Sequence, residues 1–88
     1  MKKAERERYS AIVEIGCIIC RRPAEVHHLT GAGMGRKAPY QKTIPLCPDH
    51  HRNGGPKIAI HSGVKTWEAI FGTQEKLLER VNEEIGAT

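Results

Sequence analysis

Hydrophobic positions recur with a helical period near the start of the chain. Between residues 2 and 15 the apolar side chains follow a rough 3.6-residue pattern, and Gly16 follows them; they are Ala4, Tyr9, Ala11, Ile12, Val13 and Ile15. This spacing predicts one amphipathic helix over residues 2–15 that stops before the glycine. Residues 1–8 are mostly charged, so we expect the beginning of this helix to fray.

The last third of the chain contains two further helical patterns. The first has an apolar stripe made of Val64, Trp67, Ile70 and Phe71. Gly72 ends this helix, and Thr73 is a residue type that caps the next one. The stripe of the last helix is made of Leu77, Leu78, Val81 and Ile85. Both stripes are predicted to pack into the core, and base stacking by the two aromatic rings is the weaker alternative.

Between these helices the patterns are short and predict strands. Residues 26–29 and 43–46 are brief runs that contain aliphatic or β-branched side chains, and each predicts a strand. Residues 30–39 contain three glycines and a proline without periodicity and predict a loop. Pro48 fits the first turn of a helix that carries the next three residues. The glycines and proline within residues 53–56 are expected to break that helix.

The composition indicates that apolar packing needs support. The chain has 88 residues, of which only 5% are aromatic, and it has three cysteines. A domain of this length has a small core and commonly relies on disulfides or a structural metal. An odd number of cysteines disfavours a disulfide framework and favours a metal. We therefore expect a single α+β domain over residues 1–88, stabilised by a metal ion.

The chain also lacks the pattern of a membrane segment. No apolar run approaches the roughly 20 residues that a membrane helix needs, and no apolar stretch follows the basic residues at the start of the chain. The sequence therefore predicts a cytoplasmic protein that does not interact with a membrane.

The charge is unevenly distributed along the chain. The formal net charge is +4, with +4 in residues 21–42 and −3 in residues 66–88. The positive charge surrounds the histidines. This favours a polyanion such as nucleic acid as the partner, although an ordinary solvated surface explains the same charge.

Two pairs of potential metal ligands have the same short spacing. Cys17 and Cys20 are separated by two residues, as are Cys47 and His50 after 26 intervening residues. Tetrahedral structural zinc sites have this spacing, and thiolates with imidazole suit Zn²⁺. The alternatives for the first pair are buried small side chains or a redox pair. The second pair favours a zinc ion bound by all four residues, whose binding contributes to folding.

Four further histidines remain for other chemistry. His27 and His28 are neighbours on a predicted strand and point to opposite faces, so one can bind a metal while the other faces a substrate or packs elsewhere. His51 lies about 100° around the helix from the zinc ligand, which suits a second metal. His61, which follows the predicted helix break at residues 53–56, can supply a further ligand to that second metal site. Each histidine alone is readily explained as solvated, but the group of four favours a site.

Such a site predicts hydrolysis of phosphodiester bonds. A divalent ion bound by imidazoles can stabilise charge on a phosphate, and a neutral histidine beside it can take a proton from water near pH 7. Five cations are then expected to contact backbone phosphates of DNA: Arg21, Arg22, Arg36, Lys37 and Lys42.

Six sequence segments extend these motifs over nearly the whole chain. In order they read CxxC, EVHHLTG, GMGRK, IPLCPDHH, AIHSG and WEAIFGTQ. This ordered set resembles the HNH endonucleases of the phage recombination-enhancement (Ref) type, the RecA-dependent nuclease group and its short prophage relatives. The resemblance covers residues 17–85. HNH motifs alone are degenerate, but six segments in this order are specific.

The resemblance implies a ββα-metal core with a catalytic Mg²⁺ or Mn²⁺. In that core His27 binds the ion and His28 is the general base that activates water. The resemblance also implies that His51 and His61 are ligands of the same ion. Family members cleave DNA and leave 5′-phosphate and 3′-hydroxyl ends. A RecA filament is a candidate partner, and a phage-encoded member would act inside its bacterial host.

The sequence departs from the HNH pattern at the middle Asn and in the spacing from His51 to His61, which includes Gly54, Gly55 and Pro56. The middle Asn has no counterpart in residues 38–42, and Gln41 or a backbone group is expected to take its orienting role. Two alternatives to a nuclease therefore stay open. One is a non-catalytic zinc module that binds DNA or a recombination partner through residues 31–42, and the other is a structural zinc-bound interaction domain.

Overall fold

Three helices and a small sheet make up the fold. The computed structural model describes residues 1–30 and 39–86, so most of the loop predicted at residues 30–39 lies outside the description. The elements in order are α1 (Lys3–Ile15), β1 (Glu25–His28), β2 (Thr43–Leu46), a π-helical turn (Asp49–Asn53), a 3-10 turn (Ile60–Ser62), α2 (Val64–Phe71) and α3 (Gln74–Ile85). The predicted α+β class is confirmed. Within the described ranges, no helix has the length and apolar character needed to cross a membrane.

The two strands form an antiparallel sheet in which His27 pairs with Ile44 and Val26 with Pro45. Pro45 has no N–H to offer a neighbouring strand, but its carbonyl accepts a hydrogen bond of 3.0 Å from the backbone N–H of Ile18. All four residues of β2 are buried. β2 therefore lies between β1 on one side and the segment after α1 on the other.

The core is aliphatic with one large aromatic residue. Trp67 is fully buried, and its indole N–H donates to the backbone carbonyl of Ile58 at 3.0 Å. The prediction that Ile70 packs into the core is wrong, because its side chain is 52% exposed. Adjacent helical residues point about 100° apart, so Ile70 lies at the margin of the face that Trp67 and Phe71 present to the core.

A buried arginine connects α1 to the rest of the fold. Arg8 donates from Nε to Thr43 Oγ1 at 3.2 Å and from Nη2 to the Thr43 carbonyl at 2.7 Å. Its Nη1 donates to Asn82 Oδ1 on α3 at 2.6 Å. α1 begins at Lys3, and these hydrogen bonds connect Arg8 to β2 and α3, whereas the fraying of residues 1–8 stays a prediction.

The helix predicted after Pro48 is a single wide turn. Its five residues, Asp49–Asn53, are closed by a hydrogen bond of 3.0 Å from the Gly54 N–H to the Asp49 carbonyl. Gly54 permits this closure, because a Cβ at that position would lie 2.5 Å from the Asp49 carbonyl oxygen. The predicted break is confirmed, since the chain leaves the turn here and returns in the 3-10 turn that carries His61.

Candidate metal centres

A tight turn after α1 brings the first two cysteines together. The Arg21 N–H donates to the Cys17 carbonyl at 2.8 Å, and the Cys17 N–H donates to the Arg22 carbonyl at 2.9 Å. Gly16 precedes this turn with φ +79°, and a Cβ there would lie 2.7 Å from the Arg21 carbonyl oxygen. Only glycine fits this position, and the turn it permits directs Cys17 and Cys20 towards the end of β2.

Cys47 and His50 complete a group that we call the Cys3His cluster (Cys17, Cys20, Cys47, His50), whose donor atoms lie within 4.8 Å of one another. The Cys20 and Cys47 sulfurs are 3.6 Å apart, and the Cys17 sulfur is 3.7 Å from His50 Nδ1. Tetrahedral zinc with bonds of about 2.0–2.3 Å needs ligand atoms roughly 3.3–3.8 Å apart. The three cysteines are free thiols. The cluster could therefore hold a metal ion such as zinc.

A second group, the three-histidine cluster (His27, His51, His61), also has its donor atoms within 4.8 Å of one another. His27 comes from β1, His51 from the π-helical turn and His61 from the 3-10 turn. The ring centroids of His51 and His61 are 4.3 Å apart, and those of His27 and His51 are 4.9 Å apart. His27 is buried, His51 is half-buried and His61 is exposed. The cluster therefore opens towards solvent on the His61 side.

The surroundings of His27 and His61 favour their neutral imidazole forms. Burial and the neighbouring histidines lower the pKa of His27 to about 4, against the hydrogen bond to Gln74, which raises it. Burial also lowers the pKa of His61, and the charges of His51 and Arg52 act in the same direction. A neutral imidazole has one ring nitrogen with a lone pair. His27 and His61 are therefore in the state that metal binding requires at neutral pH.

A carboxylate that the sequence analysis did not identify orients His51. Glu25 Oε1 accepts a hydrogen bond of 2.6 Å from His51 Nδ1, and Arg52 pairs with the same carboxylate at 3.0 Å. The hydrogen bond from His51 lowers the pKa of Glu25, and Arg52 contributes to this effect. Glu25 lies two residues before His27 on β1 and therefore on the same face, which is the signal that could have predicted it.

Gln74, the first residue of α3, is the second residue that sequence reasoning did not identify. Its Oε1 lies 3.0 Å from Nε2 of His27 and accepts a hydrogen bond of 3.0 Å from the Thr30 N–H. Gln74 is 44 positions from Thr30 in the chain. No local spacing pattern indicates a contact over such a separation, and the signal that the sequence offers is the place of Gln74 at the end of the WEAIFGTQ segment.

His28 lies outside both clusters. Its Nε2 is 3.1 Å from the hydroxyl of Tyr9 on α1, and that hydroxyl donates to Glu5 Oε2 at 3.2 Å. His27 and His28 thus point to opposite faces of β1, as the strand geometry predicted. The structure brings three of the four remaining histidines together and places the fourth against α1.

The predicted DNA-contacting cations have different surroundings. Arg21 makes two hydrogen bonds to the Glu84 carboxylate, of 2.6 and 2.8 Å, which engage its side chain within the protein. Arg22 is exposed and lies 3.6 Å from Asp49, and Lys42 is exposed. The remaining two, Arg36 and Lys37, lie outside the described residues. DNA contact stays a prediction for all five.

The fold and the two clusters define a small α+β protein with two candidate metal sites. The family model described as recombination enhancement, RecA-dependent nuclease, matches residues 2–85. Because the match covers nearly the whole chain, the chain belongs to this family. The resemblance found in the sequence is confirmed at the level of the family.

The chain is also similar to one curated protein of a bacterium. It is 34% identical over 80 residues to the uncharacterized protein YdfU of Escherichia coli (strain K12). The alignment covers 85% of this chain but 21% of YdfU, so the chain spans about a fifth of the length of that relative. The name of YdfU states no activity. The similarity therefore indicates a related sequence but gives no information about function.

Proposed function

We propose that this chain is a metal-dependent HNH endonuclease that hydrolyses phosphodiester bonds of DNA. The observation that carries the proposal is the three-histidine cluster, in which imidazoles from three elements meet within 4.8 Å in a member of a nuclease family. Three protein ligands leave positions on a divalent ion for substrate oxygens. The Cys3His cluster is proposed to hold a structural zinc ion.

The donor set discriminates between the two predicted catalytic ions. His27, His51 and His61 would hold the ion, and all three offer nitrogen. Mg²⁺ prefers oxygen ligands, so an all-imidazole set fits Mn²⁺ better than Mg²⁺. When bound, the ion supplies stabilisation of the negative charge that develops on the phosphate. We therefore propose Mn²⁺ as the more effective of the two.

His28 is proposed to be the general base. It takes a proton from the attacking water as the water oxygen bonds to phosphorus and the bond from phosphorus to the 3′ oxygen breaks. The 3′ oxygen leaves as a hydroxyl after gaining a proton from solvent. Tyr9, 3.1 Å from Nε2 of His28, is proposed to orient the base. Gln41, the residue expected to do so from the sequence, is exposed before β2.

The experiment that tests this proposal is nicking of supercoiled plasmid by the zinc-loaded protein in Mn²⁺ or Mg²⁺. His28→Ala is expected to lower the rate by roughly 10²–10⁴-fold, the usual contribution of a general base, without changing zinc content. Added imidazole should restore part of the activity. Thr66→Ala, on an exposed position of α2, is the matched control. Full activity of His28→Ala would remove His28 from the role of base.

A second candidate function is a non-catalytic zinc module that binds DNA. The absence of the middle Asn of HNH favours it, because a decayed site could lack this residue. This alternative predicts salt-sensitive DNA binding without cleavage in any divalent ion. Duplex, single-stranded and displacement-loop substrates, each with and without a RecA filament, separate it from the nuclease. Cleavage of any one of them that depends on His28 excludes the non-catalytic module.

A further inference from the structure

Gln74 makes a dense set of hydrogen bonds next to the three-histidine cluster. Gln74 is only 5% exposed, and its backbone N–H donates to Glu68 Oε2 at 2.8 Å. Its side-chain oxygen faces both the Thr30 N–H and Nε2 of His27. Its side-chain nitrogen donates to Thr30 Oγ1 at 3.0 Å and more weakly to the Thr30 carbonyl at 3.4 Å. The start of α3 is thus joined to the end of β1.

Thr30 determines which way the carboxamide of Gln74 points. A backbone N–H can only donate and a backbone carbonyl can only accept. The atom of Gln74 that faces the Thr30 N–H must therefore be the oxygen, and the atom that faces the carbonyl must be the nitrogen. The group that His27 meets is consequently a pure acceptor.

This orientation determines the tautomer of His27. An amide oxygen accepts hydrogen bonds only, so Nε2 of His27 carries the hydrogen and Nδ1 carries the lone pair. The opposite holds for His51, because the Glu25 carboxylate accepts from its Nδ1 and leaves the lone pair on Nε2. The two histidines therefore offer different ring nitrogens to the space between them.

We propose that Gln74 is a positioning residue that presents Nδ1 of His27 to the metal ion. The inference rests on the proposed function, because it takes the three-histidine cluster to be a metal site. Metal-bound histidines commonly donate their other ring N–H to a protein acceptor, which fixes the ring and the tautomer. Through Gln74, the position of α3 controls the metal affinity of a residue on β1.

The experiment measures the tautomer and the metal affinity separately. The tautomer of His27 is read from its ¹⁵N chemical shifts in zinc-loaded protein at pH 7 without Mn²⁺, and Mn²⁺ affinity is read by titration with electron paramagnetic resonance. In the wild type we expect hydrogen on Nε2. In Gln74→Leu we expect a mixed tautomer and roughly 10–100-fold weaker Mn²⁺ binding, with zinc content unchanged.

Two further variants separate positioning from structural support. Gln74→Glu keeps an acceptor for His27 but loses the donor to Thr30, so it should keep the tautomer and most of the Mn²⁺ affinity even if Gln74→Leu does not fold. Thr30→Val removes only the hydroxyl that Gln74 contacts and should behave like the wild type.

Three results would overturn the inference. They are hydrogen on Nδ1 of His27 in the wild type, no Mn²⁺ binding by the wild type, and equal losses of affinity in Gln74→Leu and Thr30→Val. A wild type that shows the expected tautomer and Mn²⁺ binding but cleaves no DNA would contradict the proposed nuclease and support the role of Gln74 in metal binding.

Discussion

The two clusters share the π-helical turn but differ in how they are held. Cys17 and Cys47 are part of the hydrophobic core, with 0% and 2% exposure. In the three-histidine cluster exposure increases from the buried His27 to the exposed His61. Hydrogen bonds from Glu25 and Gln74 hold the inner two histidines. The chain therefore places Cys17 and Cys47 inside its core, whereas the three-histidine cluster extends from a buried histidine to the surface.

This difference indicates that the neighbouring residues His50 and His51 serve two different metal sites. Consecutive residues of a helical turn point in different directions, so His50 faces the cysteines while His51 faces His27. A metal in the core contributes to folding, whereas a metal at an open edge can exchange and meet a substrate. Loss of a ligand should consequently unfold the protein in one cluster and remove only metal binding in the other.

The largest expected effect is the loss of folding in Cys47→Ser. A structural zinc ion contributes about 10–16 kcal/mol, which is as large as the whole stability of a typical domain. We expect no cooperative thermal transition by circular dichroism, and the same result when a chelator removes zinc from the wild type. His61→Ala is the matched variant from the other cluster and should retain its transition. A cooperative transition in metal-free protein would contradict the structural role of the Cys3His cluster.

An intermediate effect is expected for Glu25→Gln. The amide is a weaker acceptor for His51 and leaves Arg52 without its carboxylate, so Mn²⁺ affinity should fall by roughly 10–100-fold. Isothermal titration with Mn²⁺ measures this loss, and zinc content should stay unchanged. Glu84→Gln is the control, because it also removes a carboxylate that pairs with an arginine. This variant should bind Mn²⁺ with the affinity of the wild type. Equal affinities in wild type and Glu25→Gln would show that Glu25 does not orient His51.

The smallest effect concerns the ion pair of Arg21 and Glu84. The hydrogen bond from Arg21 lowers the pKa of Glu84 below its ordinary value of 4.5. A lowered carboxyl pKa stabilises the fold above the unfolded pKa, and this contribution is lost as pH falls through the folded pKa. Glu84→Gln should therefore be less stable than the wild type by at most about 1 kcal/mol at pH 7.

Urea unfolding of the zinc-loaded proteins at several pH values measures this difference. The difference between the wild type and Glu84→Gln should become smaller as pH falls, because Glu84 becomes protonated in both the folded and the unfolded state. Zinc content is measured at each pH, and only samples that retain their zinc ion are compared. A difference between them that increases towards low pH would contradict the assigned ion pair.

Features encoded by local spacing were predictable from the sequence. The two-residue gap between Cys17 and Cys20, the glycine stop after α1 and the bounds of β2 follow from short-range rules and agree with the structure. The grouping of His27, His51 and His61, which the resemblance to the HNH endonucleases implies, also agrees with the structure, whereas strand periodicity alone left open which of His27 and His28 belongs to it.

The remaining features depend on contacts between distant segments. Gln74 contacts His27 over a separation of 47 positions, and Arg8 contacts Asn82 over 74. Neither contact can be predicted from the local spacing of residues. Ile70 was assigned to the core from periodicity alone, but an eight-residue helix has too few turns to fix the centre of its apolar face. The hydrogen bonds that orient the histidines of the candidate metal site could therefore be identified only from the structure.

The central claim is that one chain holds two different metals in adjacent clusters. Anomalous diffraction at the zinc and manganese edges, from crystals of protein loaded with one equivalent of Zn²⁺ and then soaked in Mn²⁺, tests it most directly. We predict a zinc peak among the three cysteines and His50, and a manganese peak among His27, His51 and His61 of the same molecule. A single occupied cluster, or manganese bound away from these histidines, would contradict the account.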